Sequence, residues 1–445
     1  MGILLDIIYG IVFLVCWPMW VYRMARHGRY RTDWPQRLGA APKSYGLQPT
    51  IWIHGVSLGE VNAARTLIDE IHSQLPQYRI VVSSTTETGM TAAQRLYAPD
   101  HTVFRWPLDF TWAVRRAIKR VQPNLVVLME GEAWPNFLTE CNRHDIPAVI
   151  VNGRLGPEKG YPRYKKLGSL AARLFNRLAA IGVQDEEYAE MFMDLGVDAC
   201  KLHLTGMLKF DTVPIVDHLP GQDELAAAVG LANERPLWVA GGTGPGEEEQ
   251  ILQAYRHLRN EHPELALAIV PRKPERFNEV AGLIQKSGFA CVRRSDRPDG
   301  PQGSLPENAV ILGDTMGELR KFYALAAVNF IGRSLVPMGG SDMIESAALA
   351  KPTCYGPHTF NFPQADDLLT HGCRQVKHVE DLKTVIGEWL NDPAAARNAG
   401  RAAREYVRSQ QGATRRNAEL LCHVLDLVPA RGPGQVATPA IHAVS

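Results

Sequence analysis

Thr50-Ile51-Trp52-Ile53-His54-Gly55-Val56-Ser57-Leu58-Gly59-Glu60 is a short apolar run that breaks at a glycine, and Val61 to Ile71 follow it with helical spacing. Such a run giving way to an amphipathic stretch reads as a strand handing over to a helix. The same unit recurs outward from it. Arg79 to Ser83, Asn124 to Met129, Ala148 to Asn152 and Ala179 to Gln184 are further strand candidates, each separated by helix-length segments. Thr212 to Gln222, rich in Pro, Asp and Gly, reads as a linker. Beyond it a second set begins, with Leu237 to Ala240, Leu265 to Val270, Ala309 to Leu312, Val328 to Ile331 and Thr353 to Gly356. Strands alternating with helices give largely parallel sheets, so the expected class is α/β with two doubly wound, Rossmann-like domains and ligands at the carboxyl ends of the strands. From about Pro429 the residues are Pro, Gly, Ala and Thr without period, expected as a disordered tail.

Bulk properties narrow the function. Lys plus Arg number 48 against 47 Asp plus Glu, a net charge of +1 that offers no general attraction to nucleic acid. Seven scattered cysteines without a C-x-x-C pair exclude a disulfide framework and a zinc ribbon. The N-terminus departs from this globular average. Ile7 to Val21 is almost wholly apolar, and Arg23, Arg26, Arg29, Arg31 and Arg37 follow at once. An apolar segment followed by cations reads as a single uncleaved membrane anchor with the body facing the cytoplasm; the alternative is a buried core helix. Met1 to Asp6 carries no basic side chain, unlike a secretory signal.

Four stretches carry chemistry. Glu60 stands where the first strand hands over to its helix, a place from which a carboxylate could take a proton from an attacking hydroxyl. The plainer reading is an acid complementing the positive end of the helix. Glu130-Gly131-Glu132 ends another strand, and two carboxylates there are costly unless a cation or donor uses them. Lys209, in Gly206 to Asp211, could stabilise charge on a departing phosphate or be a surface lysine. Gly339-Gly340-Ser341-Asp342-Met343-Ile344-Glu345 would let backbone approach a phosphate ahead of a helix; otherwise it is a turn capped by Ser341 or Asp342. No Asp-x-Asp pair or other metal-ligand spacing occurs.

Taken in order, these stretches resemble the signatures of Kdo (3-deoxy-D-manno-octulosonic acid) transferases. The likeness runs through His54 to Glu60, Ser83 to Gly89, Glu130 to Asn136, Asn152 to Leu155 and Gly206 to Asp211. It continues through Gly246 to Glu249, Pro271 to Phe277, Gly313 to Leu319, Ser334 to Pro337 and Gly356 to Phe362. The resemblance implies a GT-B glycosyltransferase that inverts at the sugar, with CMP-Kdo as donor, a lipid A precursor as acceptor, a membrane surface, that of the inner membrane, as neighbour, and neither metal nor cofactor. It implies Glu60 as general base, Glu130 and Lys209 as stabilisers of the transition state, and Pro271, Arg272, Met316, Gly317, Glu318, Asp342, Met343, Ile344 and Glu345 as the CMP site. The expected division is 1–28 anchor, 29–212 acceptor domain, 213–428 nucleotide-sugar domain and 429–445 tail. Departures concentrate in the donor half. The family usually has Asn where this chain has Asp342 and a glycine where it has Arg333, which suggests a compensating Arg333–Asp342 pair or two unrelated changes. Lys273 replaces a usual His and Gly131 a usual Thr. Another GT-B-fold enzyme with a different nucleotide sugar, a sugar-nucleotide epimerase and an inactive lipid-binding homologue are the competing readings.

Overall fold

The structure is a computed structural model that describes residues 2–27, 32–43, 48–156, 160–231, 235–297 and 303–427. The tail from Pro429 and the cations Arg29 and Arg31 lie outside these residues. Two compact units make up the chain, 1–212 with 411–445, and 213–410. The last helix, Ala413–Asp426, thus belongs to the first unit, a return that the expected boundaries at 213 and 428 do not contain.

Each unit is built on a seven-stranded parallel sheet. The first holds β1 (Thr50–His54), β2 (Arg79–Ser84), β3 (Thr102–Arg105), β4 (Leu125–Met129), β5 (Ala148–Gly153), β6 (Ala180–Val183) and β7 (Leu202–Leu204), in the order β3-β2-β1-β4-β5-β6-β7. The second holds β8 (Leu237–Thr243), β9 (Ala266–Pro271), β10 (Ala290–Arg293), β11 (Ala309–Leu312), β12 (Val328–Ile331), β13 (Thr353–Tyr355) and β14 (Arg374–Gln375), in the order β10-β11-β9-β8-β12-β13-β14. Central strands are buried on both faces, as helix-covered parallel sheets require. β1 and β4 are buried along their whole length, in register Ile51 with Leu125 through His54 with Leu128. Helices cover both faces: Trp52, Phe104, Trp106 and Phe137 form an aromatic cluster on one, and Ile53, Leu67, Leu125 and Leu421 pack on the other.

The N-terminal helix, Gly2–His27, corrects the expected anchor. Among the described residues no helix is long and apolar enough to cross a membrane, so a single transmembrane anchor, and the inner-membrane location built on it, is not supported. The physical reason lies partly in Asp6. Its Oδ1 accepts from the Thr111 N–H at 2.9 Å and from Asn136 Nδ2 at 3.0 Å, while the Tyr9 hydroxyl donates to Asp109 at 3.3 Å. Asp6 and Tyr9 thereby tie the start of the helix to the protein, and the stretch left between them and Arg23 is shorter than the ~20 apolar residues of a span.

Candidate active site

In both sheets the first strand of the unit lies between strands reached by connections that leave in opposite directions: β1 between β2 and β4, β8 between β9 and β12. Ligands of open α/β sheets bind at the carboxyl ends of the strands flanking that switch point. In the first unit these ends carry Glu60 and Glu130.

Glu60 opens the helix Leu58–Gln74 and closes a capping box with Ser57. Its Oε2 accepts from the Val56 N–H at 2.8 Å, and Oε1 accepts from the Ser57 hydroxyl at 2.8 Å and the Ser57 N–H at 3.2 Å. The helix-start reading is thus fulfilled, and it also fixes the carboxylate in place. Burial first, then the neighbouring Glu130 and Glu132, push Glu60 up to about 7, against the bonds from Val56 and Ser57 that favour its ionised form. A carboxylate poised near neutral pH suits proton abstraction.

Glu130 is a non-glycine residue in the left-handed region, φ 59°, where strain of about 1–3 kcal/mol is tolerated only if the surroundings impose it. Its N–H bonds the Val151 carbonyl at 2.9 Å, and Arg154 Nε donates to its Oε2 at 2.6 Å. Arg154 is the cation that two adjacent carboxylates require. A Cβ on Gly131 would lie 2.6 Å from the Arg154 carbonyl oxygen, so the residue departing from the family's usual Thr is the one against which the Arg154 backbone packs. Glu132, raised by burial and by Glu130 and lowered by Arg163, completes an acidic cluster beside the guanidinium of Arg154. Lys209 is half-buried on the short helix Leu208–Asp211, which packs against Leu58–Gln74 and is tied to β5 by the Leu208 N–H on Asn152 Oδ1 at 3.0 Å.

The residues expected to hold CMP fall on loops after β9, β11 and β12 of the second unit. Pro271 ends β9, and exposed Arg272 donates its N–H to the Thr243 carbonyl at 3.1 Å. Arg272, Asp342 and Glu345 gather around the buried Tyr323, whose hydroxyl is pushed up by burial, then by the two carboxylates, and lowered by the guanidinium. Met316 is 67% exposed beside Gly317. Glu318 is engaged by Arg294 Nη2 at 3.1 Å and by the Thr315 hydroxyl. Met343 and Ile344 have fully buried side chains, leaving only their backbone for a ligand. The helix there is a single turn, Ile344–Ala347, whose Ile344 N–H bonds Asp342 Oδ1 at 3.1 Å. Arg333 Nη2 donates to the Met338 carbonyl at 3.0 Å, so the compensating partner imagined for Asp342 turns to the backbone of its own loop. Among the described residues no group of three or more His, Cys, Asp or Glu could hold a metal ion.

Residues 32–212 match the family described as 3-deoxy-D-manno-octulosonic-acid transferase (kdotransferase). A 3-deoxy-D-manno-octulosonic acid transferase of Haemophilus influenzae is 33% identical over 427 residues, which are 93% of this chain and 97% of that protein. The chain belongs to the Kdo transferases. A Bordetella pertussis protein of the same name is 32% identical, over 91% of this chain and 95% of its own. At the level of fold alone, a Rickettsia africae glycosyltransferase superposes with a TM-score of 0.58 at 14% identity, covering 86% of this chain and all of that one. A Neisseria meningitidis UDP-GlcNAc 2-epimerase gives 0.56 at 12%, covering 85% and 99%. The fold of this Kdo transferase is accordingly GT-B-like, and the enzyme is a glycosyltransferase. The sequence motifs assign no separate role to Arg154 or Glu247 and do not single out Tyr323; in the run Glu247-Glu248-Glu249 two acids are buried, and no sequence signal separates the one from the other.

Proposed function

We propose that this Kdo transferase moves Kdo from CMP-Kdo onto a hydroxyl of a lipid A precursor, with inversion and without a metal. The observation that carries the reading is Glu60, a fixed, buried carboxylate at a switch point with its pKa near 7. Its ionised oxygen takes the hydroxyl proton as the acceptor oxygen bonds to the anomeric carbon, and the bond from that carbon to the CMP phosphate oxygen breaks. CMP leaves with the electron pair. Glu130, held by Arg154, and Lys209 act on the charges that develop, and Arg272 with backbone N–H groups of the Gly339–Glu345 loop receives the CMP. A lipid acceptor also suits the N-terminal helix, where Ile11, Val12, Leu14 and Val15 are exposed, a surface fit for lying against lipid.

The test is Glu60→Gln, which keeps the shape and removes the proton acceptor. Turnover is expected to fall by on the order of 100-fold or more with CMP affinity unchanged. Near-normal turnover would move the base elsewhere, with Glu132 next in line.

A further inference from the structure

The crevice at the switch point of the second unit is formed by the loop after β8, residues 244–247, and the loop after β12, residues 332–341. These loops approach closely: a Cβ on Gly332 would lie 2.5 Å from Thr243 Cα, and one on Gly244 would lie 2.7 Å from Met338 Sδ. The Ser341 hydroxyl donates to the Gly242 carbonyl at the end of β8 at 2.9 Å, and a second side chain bolts the loops together more fully. Glu247 is fully buried, and its Oε2 accepts from the N–H of Gly244 at 2.9 Å and of Arg333 at 2.5 Å. Its Oε1 accepts from Ser334 at 2.8 Å and Leu335 at 2.9 Å. Three successive N–H groups, beginning at a left-handed Arg333 with φ 59°, thus converge on one carboxylate. That is the nest by which backbone captures an anion, and here the anion comes from the neighbouring loop. The Ser334 hydroxyl extends the fastening to the loop after β13 by accepting the Gly356 N–H at 2.8 Å.

A second observation marks the same crevice as a place for a polar ligand. Thr243 Oγ1, the Tyr323 hydroxyl and Arg333 Nε are buried without a hydrogen-bond partner among the described residues, and all three gather around Gly241 to Gly244. Buried polar atoms without partners are rare, and three at one switch point are unusual.

We propose that Glu247 is the positioning residue of the donor site: it holds the loops after β8 and β12 as one preformed floor for the nucleotide sugar and touches no substrate itself. The inference rests on the function proposed above. Its four N–H partners disperse the charge of Glu247, which would otherwise repel an anionic donor from beneath. In Glu247→Gln one oxygen becomes an NH2 that faces backbone N–H groups, so two of the four bonds are lost and the fastening between the loops is weakened. Preorganisation is then lost where the donor sits.

The experiment measures CMP affinity by calorimetry, and KM for CMP-Kdo, KM for the acceptor and kcat by transfer assay, in full-length wild type, Glu247→Gln and Glu247→Ala. Circular dichroism establishes the folded fraction. The expected result is a donor KM and CMP dissociation constant raised roughly ten- to a hundredfold, with acceptor KM unchanged and kcat at saturating donor reduced less. Glu248→Gln, whose carboxylate pairs with Arg276 at 2.5 Å, is the control, expected to lower stability without raising the donor KM. Variants that bind CMP as wild type does, or that merely lose folded protein in proportion to activity, overturn the role of Glu247 and leave the function standing. Wild type that neither binds CMP nor transfers Kdo overturns both.

Discussion

Turnover should follow the ionisation of Glu60. With its pKa at about 7, the carboxyl is about half ionised at pH 7, about a tenth at pH 6 and about nine-tenths at pH 8. Only the ionised form accepts a proton, so kcat/KM at limiting donor should fall roughly tenfold per pH unit below pH 6 and level off above pH 8. The displacement from 4.5 to about 7 means that the folded site disfavours the charged carboxylate by about 3 kcal/mol. The sign for stability is fixed by the same displacement. A folded pKa above the unfolded one means that the native state holds the proton more tightly, so the stability contributed by this group is greatest below about pH 4.5 and declines as pH rises through 7. The assay is initial rate of sugar transfer from pH 5 to 9 with donor below its KM, in parallel with unfolding by denaturant in wild type and Glu60→Gln. An acid limb centred near 4.5, or the same limb retained in the residual activity of Glu60→Gln, would refute the reasoning.

Arg154→Gln removes the guanidinium from Glu130 and lessens the positive charge beside the acidic cluster, so the acid limb of the rate profile should move to higher pH by roughly half a unit to one unit; an unmoved limb would show that Arg154 does not tune the base. Asp6→Ala strips the acceptor from the Thr111 N–H and from Asn136 Nδ2, and should cost on the order of 1–3 kcal/mol of stability with faster hydrogen exchange at Thr111. Unchanged exchange there would mean that the N-terminal helix is not held through Asp6. Treatment with EDTA should leave transfer intact, because in the mechanism proposed above the phosphate charge is assigned to Arg272, Lys209 and backbone N–H groups; loss of activity restored by magnesium would contradict this.

Ten strands were legible in the sequence to within a few residues at their ends, and four were not: β3, β7, β10 and β14. Those four are the edges of the two sheets. An edge strand is covered on fewer sides, so it lacks the continuous apolar run that betrays a central one. β7 and β14 contain no fully buried residue, and only Val292 is buried in β10. Glu60 and Glu130 stood out because both follow central strands, Glu130 directly after β4 and Glu60 in the first turn of the helix after β1, where the apolar run has given way to a carboxylate. Glu247 could not, since its role depends on N–H groups of residues 333–335, far away in sequence and brought near by the β8–β12 pairing. The N-terminal helix misled for a related reason. Asp6 reads as a blemish in an apolar segment until the N-terminus of the helix Thr111–Val121 is seen to need its oxygen.

The central claim is transfer of Kdo to lipid, and one measurement addresses it without an intermediate assumption. Purified full-length protein is incubated with CMP-Kdo and a lipid A precursor, and the lipid is recovered for mass spectrometry. The account predicts a mass gain of one or more whole Kdo residues, absent with Glu60→Gln over the same time, with CMP released in equal number. An acceptor lipid of unchanged mass, under conditions where the protein is folded and binds CMP, would contradict it.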